Sequence, residues 1–227
     1  MDKVLKNEKT FYDKFWKNLK GGYSGDGWHF SSQTPYPVIF DFLKFLKKFK
    51  KTGKFLDLGC GNGRQAIPFA QAGFETSGID FCEEAINLAK KNAELSKVKV
   101  DFKVGDVLNL PYKNADFEVV LDSGCLHHIR KYQWKEYLRN LNEVIKPKGY
   151  FFLICFSINS DRNIKKFTRG IKAKNWSLKN GHYNHIFYDW EVENLFGKDY
   201  TILNKAEMSK GNYPLKIWVF WMQRKIK

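Results

Sequence analysis

The stretch Asp57-Leu58-Gly59-Cys60-Gly61-Asn62-Gly63 constrains this chain more than any other part of it. A short apolar run, Lys54–Leu58, leads into three glycines at alternate positions, and a helical pattern follows from Arg64 to Ala72. A strand that turns through glycines into a helix lets a ligand approach the backbone closely, because no Cβ stands in the way. The pattern is G-x-G-x-G, not the G-x-G-x-x-G of a dinucleotide fold, and an acid stands two residues ahead of it. A carboxylate at that place repels a pyrophosphate and suits an ammonium group. The expected ligand therefore carries a cation where a dinucleotide carries phosphates.

The rest of the chain alternates around that turn. Strands are expected at Lys54–Leu58, Phe74–Ile79, Val98–Val104, Phe117–Leu121 and Tyr150–Phe156, with helices at Arg64–Ala72, Cys82–Leu95 and Lys131–Ile145. Pro147 and Gly149 are expected to end the last of these helices. Such alternation predicts an α/β fold with a parallel sheet covered by helices on both faces. Two amphipathic helices precede it, over residues 1–20 and Val38–Lys50, separated by the glycine-rich loop 21–27. Residues 157–186 break the rhythm, being polar, basic and without clear period, as expected of an inserted lid. A short helix at Asp189–Phe196 and strands at Tyr200–Lys205 and Leu215–Met222 complete the pattern. At 227 residues the chain suits one domain, 1–227, made of an N-terminal helical flap (1–50), a core (51–156), a basic lid (157–186) and the remainder of the core (187–227).

Two further acids suit the same ligand. Strand two ends Gly78-Ile79-Asp80, 19 residues after Gly61, where a carboxylate accepts hydrogen bonds from ribose hydroxyls. Strand three ends Gly105-Asp106-Val107, where a carboxylate accepts from an adenine amino group, and Phe81 and Val107 would flank the ring. A cation, a ribose and an adenine together describe S-adenosylmethionine. In these elements, together with Phe117-Glu118-Val119-Val120-Leu121-Asp122, the chain resembles the class I S-adenosylmethionine-dependent methyltransferases. The resemblance implies a Rossmann-like seven-stranded sheet of order 3-2-1-4-5-7-6 with the last strand antiparallel. It further implies a cofactor site built from Asp57, Gly59, Cys60, Gly61, Asn62, Gly63, Asp80, Phe81, Asp106, Val107 and Asp122, with S-adenosylhomocysteine as the product. The front end, with Trp16, the glycine-rich loop and Trp28, resembles the thiopurine, halide and tellurite-resistance methyltransferases. That likeness implies Trp28, with Tyr23, as the aromatic cover of the methionine end.

Methyl transfer from a sulfonium needs alignment and dryness more than acid–base help, so a base matters only for an acceptor that must lose a proton. His127 and His128, in Asp122-Ser123-Gly124-Cys125-Leu126-His127-His128, are the candidates, and two adjacent residues cannot both face one point. The same loop lacks an Asn/Asp-Pro-Pro-aromatic motif and a Pro-Cys nucleophile, which lowers any reading as a nucleic-acid base methyltransferase. His182 and His185 have a metal-like spacing, but no third ligand accompanies them and no metal is expected.

The net charge of +15 sits in the flanks: residues 1–54 carry 12 basic and 5 acidic side chains, residues 161–227 carry 14 and 6, and the middle is balanced. Only six of the 39 basic residues are Arg, so most of the excess reads as solvated surface lysine. The leading expectation is an enzyme that methylates a small-molecule S, N or O acceptor, which an anionic group would suit, by in-line displacement. The rivals are an RNA or protein methyltransferase using the basic flanks and a non-catalytic cofactor-binding partner subunit. Four scattered cysteines with no C-x-x-C pair, no apolar leader and no long apolar run point to a reduced cytoplasmic setting without a membrane span.

Overall fold

The computed structural model describes residues 3–18, 34–49, 51–159, 175–179, 182–209 and 216–226. Trp28, Tyr23 and the basic stretch 160–174 lie outside the described residues. A seven-stranded sheet runs in the order β3-β2-β1-β4-β5-β9-β8. Its strands are β1 (Lys54–Leu58), β2 (Glu75–Asp80), β3 (Asp101–Val104), β4 (Phe117–Ser123), β5 (Ile145–Phe156), β8 (Tyr200–Ser209) and β9 (Lys216–Arg224). The first five pair in parallel, and β9 lies antiparallel between β5 and β8. This is the expected order 3-2-1-4-5-7-6 once the lid's own two strands are counted separately. Six helices are described: α1 (Lys3–Asn18), α2 (Pro37–Lys48), α3 (Ala66–Gln71), α4 (Glu83–Leu95), α5 (Trp134–Val144) and α6 (Asp189–Phe196). None is long and apolar enough to cross a membrane.

Strand periodicity of two sorts the core onto the two faces of the sheet. Phe55, Val119, Leu121, Phe152 and Val219 pack on one face with Phe42 of α2 and Phe69 of α3. Leu56, Val120, Phe151, Leu153 and Phe220 pack on the other with Leu141 of α5 and Phe196 of α6. Because both faces are buried, the strands read as near-continuous apolar runs. Helix ends follow local chemistry: Pro37 opens α2, where its missing N–H is not needed, and Glu83 and Glu84 sit in the first turn of α4, where the helix dipole favours acids.

Two expectations are corrected. Pro147 and Gly149 do not separate a helix from a strand; β5 already begins at Ile145 and absorbs them in a register shift between the pairs Phe117–Ile145 and Val119–Tyr150. Proline and glycine are tolerated at such an irregularity because a ladder bond is already missing there. The lid also contains a regular element, an antiparallel hairpin of β6 (Trp176–Lys179) and β7 (His182–His185), where the histidine pair was expected on a loop. The pairing is local, Lys179 opposite His182 and Trp176 opposite His185, but four-residue strands are too short for side-chain periodicity to reveal them.

Phe69 is buried and stacks on Phe55 at 3.8 Å between ring centroids, with Phe74 at 5.7 Å. Phe69→Ala should therefore cost about 3–5 kcal/mol in urea unfolding. A loss below about 1 kcal/mol would show that this face of the core is not built around the stack.

Candidate active site

Parallel register sets the site. Asp57 stands opposite Gly78 on β2 and Leu121 on β4, and Leu58 stands opposite Ile79 and Asp122. The carboxyl ends of three central strands thus deliver Asp57, Asp80 and Asp122 to one edge of the sheet, the edge where open α/β sheets bind ligands. The cleft there holds about 1080 Å³ of empty space.

The glycine turn forms one wall. Gly61 has φ +52, and a Cβ added to it would lie 3.1 Å from the indole of Trp16. Gly63 has φ +75, but its Cβ would drive into the Phe102 ring at 2.6 Å. Gly61 therefore keeps the cleft open beneath α1, whereas Gly63 lets the turn pack on β3. The Gly61 N–H donates to Asp80 Oδ2 at 3.0 Å and the Cys82 N–H to Asp80 Oδ1 at 2.9 Å, fixing that carboxylate at the end of β2. Burial pushes the Asp80 carboxyl up to about 6 despite those two bonds.

Asp57 is 1% exposed, and its Oδ2 has no hydrogen-bond partner among the described residues. Burial, with the charges of Asp122 and Asp80 added, holds its carboxyl well above the usual carboxylate range. A buried carboxylate oxygen without a donor is costly and calls for a cation or a proton. Ser123 Oγ and Gln65 Nε2, both in the cleft wall, are likewise buried without hydrogen-bond partners. Across the cleft, Asp106 Oδ1 accepts from the Leu108 N–H at 2.8 Å, with Phe81 and Val107 beside it in the wall.

Three of the expected site residues do not line the cleft. Asp122 is fully buried and spends its carboxylate on its own loop: Oδ1 accepts from the N–H groups of Gly124 and Cys125, and Oδ2 from the Leu126 N–H and the Tyr137 hydroxyl at 2.6 Å. It shapes the wall that Ser123, Gly124 and Cys125 present. Gly63 is packed beneath the turn. His127 is 3% exposed and stacks on Phe156 at 3.8 Å. His128 does line the cleft, with Asp57, Gly59, Cys60, Gly61, Asn62, Asp80, Phe81, Asp106 and Val107. Burial raises the thiols of Cys60 and Cys125, so neither is a ready nucleophile. His182 and His185 diverge, as residues i and i+3 of a strand must. His182 meets Tyr12 and His128, while His185 is buried against Trp134 and Glu191.

Sequence reading missed several lining residues. Tyr12 and Trp16, at i and i+4 on α1, present one face of that helix to the cleft. The amphipathic pattern of residues 1–20, Trp16 included, was visible, but the partner of that face was not. Ion pairing of Lys17 with Glu84 and a hydrogen bond from the Cys82 thiol to Asp13 Oδ1 join α1 to α4. Arg64 lies in the wall, its guanidinium 4.6 Å from the Tyr36 ring centre and bonded to the Tyr36 hydroxyl.

Comparison with known proteins agrees with this geometry. The family of the methyltransferase domain matches residues 55–149. An uncharacterized methyltransferase of Schizosaccharomyces pombe is 31% identical over 123 residues, covering 54% of this chain and 83% of that protein. A ubiquinone biosynthesis O-methyltransferase of Cereibacter sphaeroides is 32% identical over 126 residues, 56% of this chain and 49% of the relative, so the chain spans about half the length of that protein. Among solved structures, the magnesium protoporphyrin IX methyltransferase of Synechocystis with bound S-adenosylhomocysteine superposes with a TM-score of 0.73 at 18% identity, covering 99% of this chain and 100% of that one. The chain belongs to the class I S-adenosylmethionine-dependent methyltransferases.

The buried acids have a measurable consequence. Folding raises the carboxyls of Asp57, Asp80 and Asp122 above their ordinary value, the last two to about 6. Between about pH 4 and 6 these three carboxyls hold more protons in the folded chain than in the unfolded one, so their contribution to stability falls as pH rises through that window, and Asp57 carries the fall further. Asp57→Asn, which removes the ionisation and keeps the shape, should raise the melting temperature of the ligand-free chain at pH 7 and flatten this decline. A lower melting temperature at pH 7 would mean that Asp57 is already compensated in the folded chain.

Proposed function

We propose that this protein transfers a methyl group from S-adenosylmethionine to a small-molecule acceptor at sulfur, nitrogen or oxygen. The observation that carries the reading is the buried Asp57 Oδ2, without a hydrogen-bond partner among the described residues, beside a glycine turn whose Gly61 has φ +52 and would press a side chain against Trp16. The donor set fits the cofactor: an acid for its ammonium group, a second acid at the end of β2 for its ribose, and an apolar slot for its adenine. When bound, the cofactor supplies an electrophilic methyl group on a sulfonium. Asp57 would hold the ammonium group, with Asn62 and the Gly59, Cys60 and Gly61 backbone beside it. Asp80 would accept from the ribose, since a carboxylate oxygen has room for a second donor beyond the backbone N–H it already takes. Asp106, Phe81 and Val107 would bind the base. Tyr12 and Trp16 of α1 would cover the site and keep water out, a role that sequence reading gave to Trp28.

Of the two candidate histidines, His128 would be the one to meet an acceptor, because it lines the cleft while His127 is stacked on Phe156. The small-molecule reading is supported by the named O-methyltransferase among the relatives. A preference for an anionic acceptor would come from the basic flanks.

Two measurements test this. Asp80→Ala should weaken S-adenosylhomocysteine binding in calorimetry by roughly tenfold or more, the scale of a lost hydrogen-bonded charge; unchanged affinity would remove the ribose assignment. Radiolabelled S-adenosylmethionine, incubated with the protein and a cell extract, should label the small-molecule fraction. Label confined to RNA or protein would overturn the choice of acceptor class.

A further inference from the structure

Three elements distant in sequence meet at one imidazole. Tyr12 of α1 places its hydroxyl 3.0 Å from His182 Nε2 on β7, and that nitrogen lies 3.2 Å from His128 Nδ1. His128 Nδ1 also lies 2.9 Å from the Tyr183 carbonyl oxygen. Phe11 stacks on the His182 ring at 4.4 Å, and Tyr12 stands edge-on to His128, His182 and Phe81.

Hydrogen-bond chemistry decides the tautomer. A backbone carbonyl only accepts, so the nitrogen facing it must carry the proton. His128 is then the Nδ1–H form, and its lone pair is on Nε2. With the His128 proton on Nδ1, His182 Nε2 at 3.2 Å must be the unprotonated nitrogen if two N–H groups are not to meet; its lone pair accepts from the Tyr12 hydroxyl and the His182 proton is on Nδ1. The side-chain amide of Asn184 lies 3.3 Å from that Nδ1, and its Oδ1 is buried without a partner. With the amide turned so that Oδ1 faces the ring, the His182 N–H gains an acceptor and the oxygen gains a donor. All four groups are consistent with one arrangement of protons.

We propose that the Tyr183 carbonyl, with Tyr12 and His182 as positioning residues beside it, holds His128 as a neutral Nδ1–H imidazole, with Nε2 the atom that takes the proton of a hydroxyl or thiol acceptor. The inference rests on the methyltransferase reading and narrows its acceptor to a protic one. As the acceptor's oxygen or sulfur forms its bond to the methyl carbon, the carbon–sulfur electron pair of the sulfonium returns to sulfur and the acceptor's proton passes to Nε2. The groups facing His128 are His127 at 4.1 Å between ring centroids, His182, Tyr12 and Phe156, and none of them is an acid. Burial and the neighbouring His182 hold the His128 ring well below its ordinary range, and burial takes His182 down to about 4, so both are neutral at pH 7. A weakly basic imidazole suits an acceptor whose own proton is acidic, such as a phenol or thiol. Because Tyr12 belongs to α1, the helix that covers the cleft also completes the support of the base.

The test reads the rings directly. In the full chain labelled with nitrogen-15, long-range proton–nitrogen spectra at pH 7, assigned with H127Q, H128Q and H182Q, should show His128 and His182 both neutral and protonated on Nδ1. Y12F should shift the Nε2 resonance of His182, and H182Q should move His128 toward a mixture of tautomers. A wild-type His128 protonated on Nε2, or one that titrates between pH 6 and 8, overturns the proposal without any variant. So does a His128 signature unaltered in H182Q. Binding of S-adenosylhomocysteine to the unmodified chain is measured in parallel: its absence defeats the methyltransferase reading, whereas binding together with the wrong His128 tautomer defeats only this inference.

Discussion

Three buried carboxylates at one edge of a parallel sheet are the constraint on which the rest depends. Burying a charge without a partner is among the most expensive things a fold can do. Each acid here is handled differently. Asp122 is satisfied by its own loop, with three backbone N–H groups and the Tyr137 hydroxyl gathered on its two oxygens. Asp80 is half satisfied, by Gly61 and Cys82. Asp57 Oδ2 is left without a partner. Dissatisfaction rises from Asp122 on β4, a structural brace, through Asp80 on β2 to Asp57 on β1, the open acceptor between them.

That gradient explains why the site combines stability and strain. Asp122 converts the chain after β4 from a loose loop into a fixed wall, and the same wall presents Ser123, Gly124 and Cys125 and starts the turn that carries His128. Asp80 ties the glycine turn to the start of α4, so the β1 and β2 ends move as one piece. The cost concentrated at Asp57 is a cost of the ligand-free chain, which the ammonium group of the proposed cofactor would offset. On that proposal the residue that binds is also one that destabilises, a trade common at functional sites.

The surroundings of His128 come from distant parts of the sequence. α1 and the β6–β7 hairpin touch each other through Tyr12, Phe11 and His182, and both reach His128. Behind the hairpin, Glu191 holds His185, Asn175 and Lys131 together and so anchors its base to α6. These contacts give the histidine of the central fold an environment that neither flank could supply alone.

The sequence by itself determined the sheet and its ligand-facing edge. Alternating apolar runs and helical periods, broken by glycines, are local signals, and three acids in register with a glycine turn need only strand order to become neighbours. It could not separate Asp122 from Asp57, because both are strand-end acids and only the fold shows which one its own loop encloses. Nor could it choose between His127 and His128. A 3₁₀ turn directs one ring into Phe156 and the other into the cleft, and that rotation is fixed by packing across 28 residues of chain. Trp16 was legible as part of an apolar helix face without a destination, and Tyr12 was not singled out. Only the tertiary structure supplied it, since a helix face records that something will be covered and long-range packing decides what.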